Sequence, residues 1–88
     1  SKEGWIKDVG SKVSTEKIEQ IHEGKVRKFY TSKIEVNNRM LYINDSKTIS
    51  GIVECESREQ ARKVGRSALS QLKEEEESKE RLEEIEAK

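Results

Sequence analysis

The chain has no proline, one cysteine, one histidine and only 5% aromatic residues, and its apolar runs are all short. Each scarcity excludes something. Because Cys55 stands alone, no intramolecular disulfide can form and nothing calls for an oxidising compartment, so a buried structural thiol is its expected role. One imidazole, His22, and one thiol offer no His/Cys grouping at metal-ligand spacing, and neither a metal nor a cofactor is expected. No stretch approaches the roughly 20 apolar residues of a membrane span, and the first residues lack the apolar core of a signal peptide. The expected location is cytoplasmic, with no membrane partner. Gly10, Gly24, Gly51 and Gly65 are isolated from one another, which leaves no glycine-rich loop to cradle a phosphate. A nucleophile needs a base within reach, and neither Cys55 nor any serine has an identifiable one, so the chain is not read as an enzyme.

Charge is what the sequence has in abundance. Apolar residues make up 31% of the chain and charged ones 41%, against about 45 to 50% (glycine included) and about 25% in ordinary globular domains. The apolar residues nevertheless recur at regular spacings, which disordered chains lack. At 88 residues the chain fits one domain with a modest core, and self-association would add burial that one short chain cannot supply, so a homodimer is expected. Many Lys, Glu and Arg with few thermolabile residues also match a thermophile-like bias toward surface ion pairs.

The formal net charge of zero conceals a segregation. Residues 1–73 carry fifteen Lys/Arg against ten Asp/Glu, whereas residues 74–88 carry three against eight, so a body with five surplus cations precedes a tail with five surplus anions. Net charge bears on partners and association rather than on fold. The expected organisation is a single α+β domain over 1–73, followed by 74–88 as an acidic, solvated extension of the last helix.

Local signals then fill in the elements. Ser14 or Thr15 as an N-cap and Gly24 as a stop predict a short helix over about 15–23, with Ile18 and Ile21 as its narrow apolar edge. From Lys25 the pattern becomes β. Asn37-Asn38 is suited to a two-residue hairpin turn that sets Ile34 opposite Leu41, and a second turn across Asp45 to Lys47 sets Ile43 opposite Ile49 and Leu41 opposite Gly51. The resulting three-stranded antiparallel meander has Ile34, Val36, Leu41, Ile43, Ile49, Val53 and Cys55 on its inner face. Its other face shows Lys33, Glu35, Met40, Tyr42 and Ile52, half apolar, with the short helix as the expected cover. Ser57 and Gln60 form a capping box for a long C-terminal helix from about 58 to the mid-80s, packed on the sheet by Ala61, Val64, Gly65, Ala68 and Leu72.

Two basic features emerge from this layout. The first is the run Lys25, Arg27, Lys28 with Phe29 and Tyr30, joined by Lys33, Arg39 and Tyr42, which combines phosphate-seeking charge with aromatic faces on strands, as single-stranded nucleic-acid binders do. The second is a stripe on the long helix. Arg58, Arg62, Arg66 and Lys73 fall at about 0°, 40°, 80° and 60° on the helical wheel, an arc that holds no acid as far as Lys73. Like charges at this spacing repel unless an anion neutralises them, and arginine suits phosphate or carboxylate forks. Glu54, Glu56 and Glu59 near the helix start can quench part of that field. Glu16, Glu19 and Glu23 make the short helix unfit to read DNA, since phosphates would repel it. The expected function is therefore a small non-catalytic DNA- or RNA-binding protein that uses the basic strand, the arginine stripe and stacking on Tyr30 or Tyr42. The alternative is a protein-interaction or assembly subunit that dimerises through its charged helix and sheet.

Overall fold

The computed structural model describes residues 8–87. Three antiparallel strands, β1 (Val9–His22), β2 (Lys25–Val36) and β3 (Arg39–Tyr42), form one sheet in that order, and a single helix, α1 (Arg58–Ala87), packs against β1 and β2. The fold is α+β with a three-stranded antiparallel sheet and a long C-terminal helix. The short N-terminal helix expected over 15–23 is not formed: residues 15–22 are the second half of β1, and Glu23 belongs to its turn. As a helix this segment would bury only Ile18 and Ile21. As a strand it satisfies the whole flank of β2, from Val13 opposite Ile34 to His22 opposite Lys25, and sets Ile18 against the buried Phe29. Residues 1–13, where Gly4 and Gly10 interrupt Trp5, Ile6, Val9 and Val13, read from sequence as irregular or one helical turn; from Val9 they are strand instead, and Trp5 and Ile6 lie outside the described residues.

Both hairpins use two-residue turns with two consecutive positive φ angles, Glu23 at 51° with Gly24 at 77°, and Asn37 at 53° with Asn38 at 64°. Such turns match the right-handed twist of their strands. The Asn37-Asn38 turn gives the expected register, with Ile34 opposite Leu41. The second hairpin does not form in its expected register: Asn44 bridges Ile52, where the expected turn sets it opposite Thr48. After Ile43 the chain leaves the sheet and returns at Val53, whose N–H donates to the Ile43 carbonyl at 3.0 Å; Cys55 then bridges Tyr30 on the flank of β2 that β3 leaves open. Residues 44–52 are thus an excursion inserted into what would otherwise be one longer edge strand. The Asp45 carboxylate accepts from Lys47 N–H at 3.0 Å, Thr48 Oγ1 donates to the Ile52 carbonyl at 2.6 Å, and Gly51 turns the chain at φ 81°. Ile49, expected in the core, is 60% exposed, because these local bonds replace the ladder that would have carried it inward.

The core lies between the helix and the facing side of the sheet. Ile34, Val36 and Leu69 are buried, with Val9, Val13, Leu41, Ile43, Ala68 and Leu72 packed around them. Ala61 is fully buried and Gly65 sets the helix–sheet spacing, since a Cβ there would stand 2.5 Å from Val13 Cγ1 and 3.3 Å from the Ser32 Cβ. The capping box operates with a one-residue shift: Ser57 Oγ accepts from Gln60 N–H at 3.1 Å, and the Gln60 side chain accepts from Glu56 N–H rather than from Ser57.

The helix and the hairpin overlap only in part. Arg58 starts beside Thr15, and Lys73 reaches the level of Asp8 and Val9, so the hairpin tip around Ile21 and Val26 extends past one end of the packed region. Beyond Glu80, which shares a cleft with Asp8 and Val9, the helix overhangs the described part of the sheet. Overall extents of 59 × 23 × 19 Å follow from this offset. Among the described residues no helix is long and apolar enough to cross a membrane.

Candidate nucleic-acid interface

Three of the strand cations, Arg27, Lys28 and Lys33, are held by carboxylates of the same chain. Arg27 donates to Gln20 and to Glu54, lies with its guanidinium 5.5 Å from the Phe29 ring centroid, and is largely covered. Burial alone would push the Glu54 carboxyl up, but bonds from Ser50 and Arg27 outweigh it and hold it below the usual carboxylate range. Lys33 sits 3.3 Å from Glu16 and 4.6 Å from the Tyr42 ring centroid, while the Tyr42 hydroxyl donates to Glu16 at 2.6 Å. Each member of this trio moves in the direction its partners dictate. The Tyr42 hydrogen bond and the Lys33 charge lower Glu16, and Glu16 in turn raises both Lys33 and Tyr42. Lys28 faces Glu19 at 3.7 Å, both solvent-exposed. Lys25 is exposed at the hairpin tip, and Arg39 lines a separate shallow cleft with Val36, Asn37 and Leu41.

The aromatic rings are engaged as well. Tyr42 carries Lys33 over its face, and half-buried Tyr30 carries the Arg58 guanidinium at 5.2 Å. Arg58 also donates to the Thr15 hydroxyl at 2.9 Å and, more weakly, to the Thr15 carbonyl at 3.4 Å. It therefore ties the first turn of α1 to β1 and stands apart from the rest of the helical stripe.

The remaining stripe opens onto a groove. Arg62, Arg66 and Lys73 on α1 face Lys12 on β1 across a groove of about 820 Å³, lined also by Ser14, Ser70, Leu69 and Met40. Among the described residues no carboxylate lines it, and none of these four cations makes an ion pair. Helical periodicity brings the α1 cations together, whereas Lys12 joins them only because residues 9–13 are strand. The register of β1 slips between Val9 and Val13, with Ser11 N–H donating to the Glu35 carboxylate at 3.2 Å, and this irregularity shapes the β1 wall of the groove. Sequence reasoning missed Lys12, since nothing short of recognising β1 would have placed it opposite the stripe. A second, acidic cleft adjoins the first: Asp8, Glu76, Glu77 and Glu80 share Lys73 as a common wall.

The donor sets for other chemistries are thin. Among the described residues no group of three or more His, Cys, Asp or Glu is placed to hold a metal ion. Cys55 is buried, and burial pushes its thiol pKa up, away from the reactive thiolate. Comparison with protein-family models, with curated proteins and with solved structures found no match for this chain.

Proposed function

We propose that this chain is a small non-catalytic nucleic-acid-binding protein that grips the phosphodiester backbone in the groove between β1 and α1. The observation that carries the reading is a contrast. Arg27, Lys28 and Lys33 are matched by carboxylates of their own subunit, while Lys12, Arg62, Arg66 and Lys73 converge on a groove that no acid lines among the described residues. Clustered cations repel, so a polyanion gains by joining them, and arginine forks match phosphate oxygens. Such binding is governed by counterion release and tolerates any sequence. Arg58, Arg39 and Lys25 lie outside the groove and are assigned a peripheral part at most. The inert Cys55 fits a role without covalent chemistry.

A salt titration tests this. With four cations on phosphates, log affinity should fall with log salt at a slope of about −3 to −4. Arg62→Glu combined with Arg66→Glu should abolish binding, whereas Lys28→Glu should barely change it. No binding to single-stranded DNA, duplex DNA or RNA at low salt would end the proposal. A second reading, a protein-assembly subunit, draws on the exposed Leu82 and Ile85 of the overhanging helix, 58% and 69% exposed.

A further inference from the structure

The free flank of β1 is the longest unsatisfied feature of the fold. His22 and Lys25 close a two-residue turn and so exchange backbone hydrogen bonds; by alternation the even-numbered residues from Ser14 to His22 face β2. The N–H and C=O groups of Thr15, Lys17, Glu19 and Ile21 therefore point away from the sheet. Among the described residues only Arg58 donates to them, at one side of the Thr15 carbonyl. From Val13 to His22 the strand has no break in register and the chain contains no proline, so of the usual devices that blunt an edge this stretch keeps only charged side chains.

We propose that this edge pairs antiparallel with β1 of a second copy about a two-fold axis at Ile18, joining two sheets into one of six strands. The charge pattern selects both partner and register. Directly opposed residues must share a face, so the axis passes through a residue. An axis at Glu16, Lys17 or Glu19 sets that charge against itself, and one at Thr15 opposes no charges of opposite sign. At Ile18 alone, within 15–19, Lys17 meets Glu19 of the other copy and Glu19 meets its Lys17. Both side chains are available for this. Lys17 is exposed and makes no ion pair among the described residues, and the Glu19 contact to Lys28, at 3.7 Å between exposed groups, is weak enough to be shared. In this register Ile18 packs on its own symmetry mate on one face, and Thr15 opposes the 77%-exposed Ile21 on the other. Paired residues run from Ser14 to His22, so Lys12 and the basic groove stay open on each subunit. The inference does not depend on what the groove binds.

Sedimentation equilibrium of the whole chain decides the matter. The expected mass is twice the 10.2 kDa of one chain. Lys17→Glu opposes two acids twice and should raise the dimer Kd by about tenfold or more, while Lys17→Glu with Glu19→Lys restores it; circular dichroism checks that each variant is folded. Oxidising Ile18→Cys should yield a disulfide-linked dimer, because directly opposed residues of a non-hydrogen-bonded pair lie within disulfide reach. Ser14→Cys, opposite His22, should not cross-link. A wild-type chain that stays at single-chain mass at the highest attainable concentration overturns the proposal. So does a dimer that ignores Lys17→Glu and fails to cross-link at position 18.

Discussion

At the scale of single residues, Glu54 is the clearest case of a side chain whose chemistry follows from what surrounds it. It accepts from Ser50 N–H at 3.1 Å and from Arg27, and with Arg27 it fastens the returning segment to the outer face of the sheet. Replacing it with glutamine leaves a largely covered guanidinium without its counter-ion, and should cost about 1 to 2 kcal/mol at neutral pH by urea unfolding. The pH dependence has a definite sign. Glu54 and Glu16 are both held below their ordinary 4.5 in the fold, so the stabilisation they bring is complete above that pH and is lost as the pH falls through their folded values. Thermal melts should therefore be flat from neutrality to about pH 5 and drop below about pH 4.5, and Glu54→Gln should flatten part of that drop. Lys33 and Tyr42 act at the other end. Both are raised, so their contribution fades only as the solution becomes strongly alkaline.

Among the elements, what could be read from the sequence depended on whether local chemistry allowed one answer or two. Asn37-Asn38 tolerates left-handed backbone at both positions and sits between alternating residues, so the β2–β3 turn and the Ile34–Leu41 register were legible. The start of α1 was legible too, from Ser57 and Gln60. β1 was not, because Gly24 serves equally as a helix stop and as the second residue of a hairpin turn; both need positive φ, and Glu23 before it is an uncommon partner for the hairpin. The open flank of β2 decides between them, and that is a tertiary fact. Leu69 was overlooked for a related reason: at about 20° on the wheel it lies within the cationic arc, yet it is buried where the helix leans onto Ile34 and Val36. That lean rests on Gly65. Gly65→Val should destabilise the protein by about 2 kcal/mol or more in denaturant titrations, because the added carbons meet stiff Val13 and buried Ser32 at a spacing with no slack. Alanine, which gains about 1 kcal/mol in helix propensity, should cost less.

On the level of the whole molecule, the charge division read from the sequence becomes spatial: the cation-lined groove and the acid-lined cleft share Lys73 as a wall. The overhanging tail is thus positioned to compete with any polyanion approaching from that end. Removing residues 74–88 should tighten nucleic-acid binding by about three- to tenfold at low salt, with the gain shrinking as salt rises, as read by fluorescence anisotropy. An unchanged affinity would place the tail's field out of reach of the groove. Residues 44–52 carry a different implication. The chain departs and returns at adjoining points, Ile43 and Val53, on the side of β2 away from β1, so a foreign peptide spliced in at Ser46-Lys47 would inherit both anchors ready-made. Since doubling a flexible connection costs only about 0.6 kcal/mol, this bend is a natural port for a fluorophore tag or epitope, leaving the rest of the architecture undisturbed.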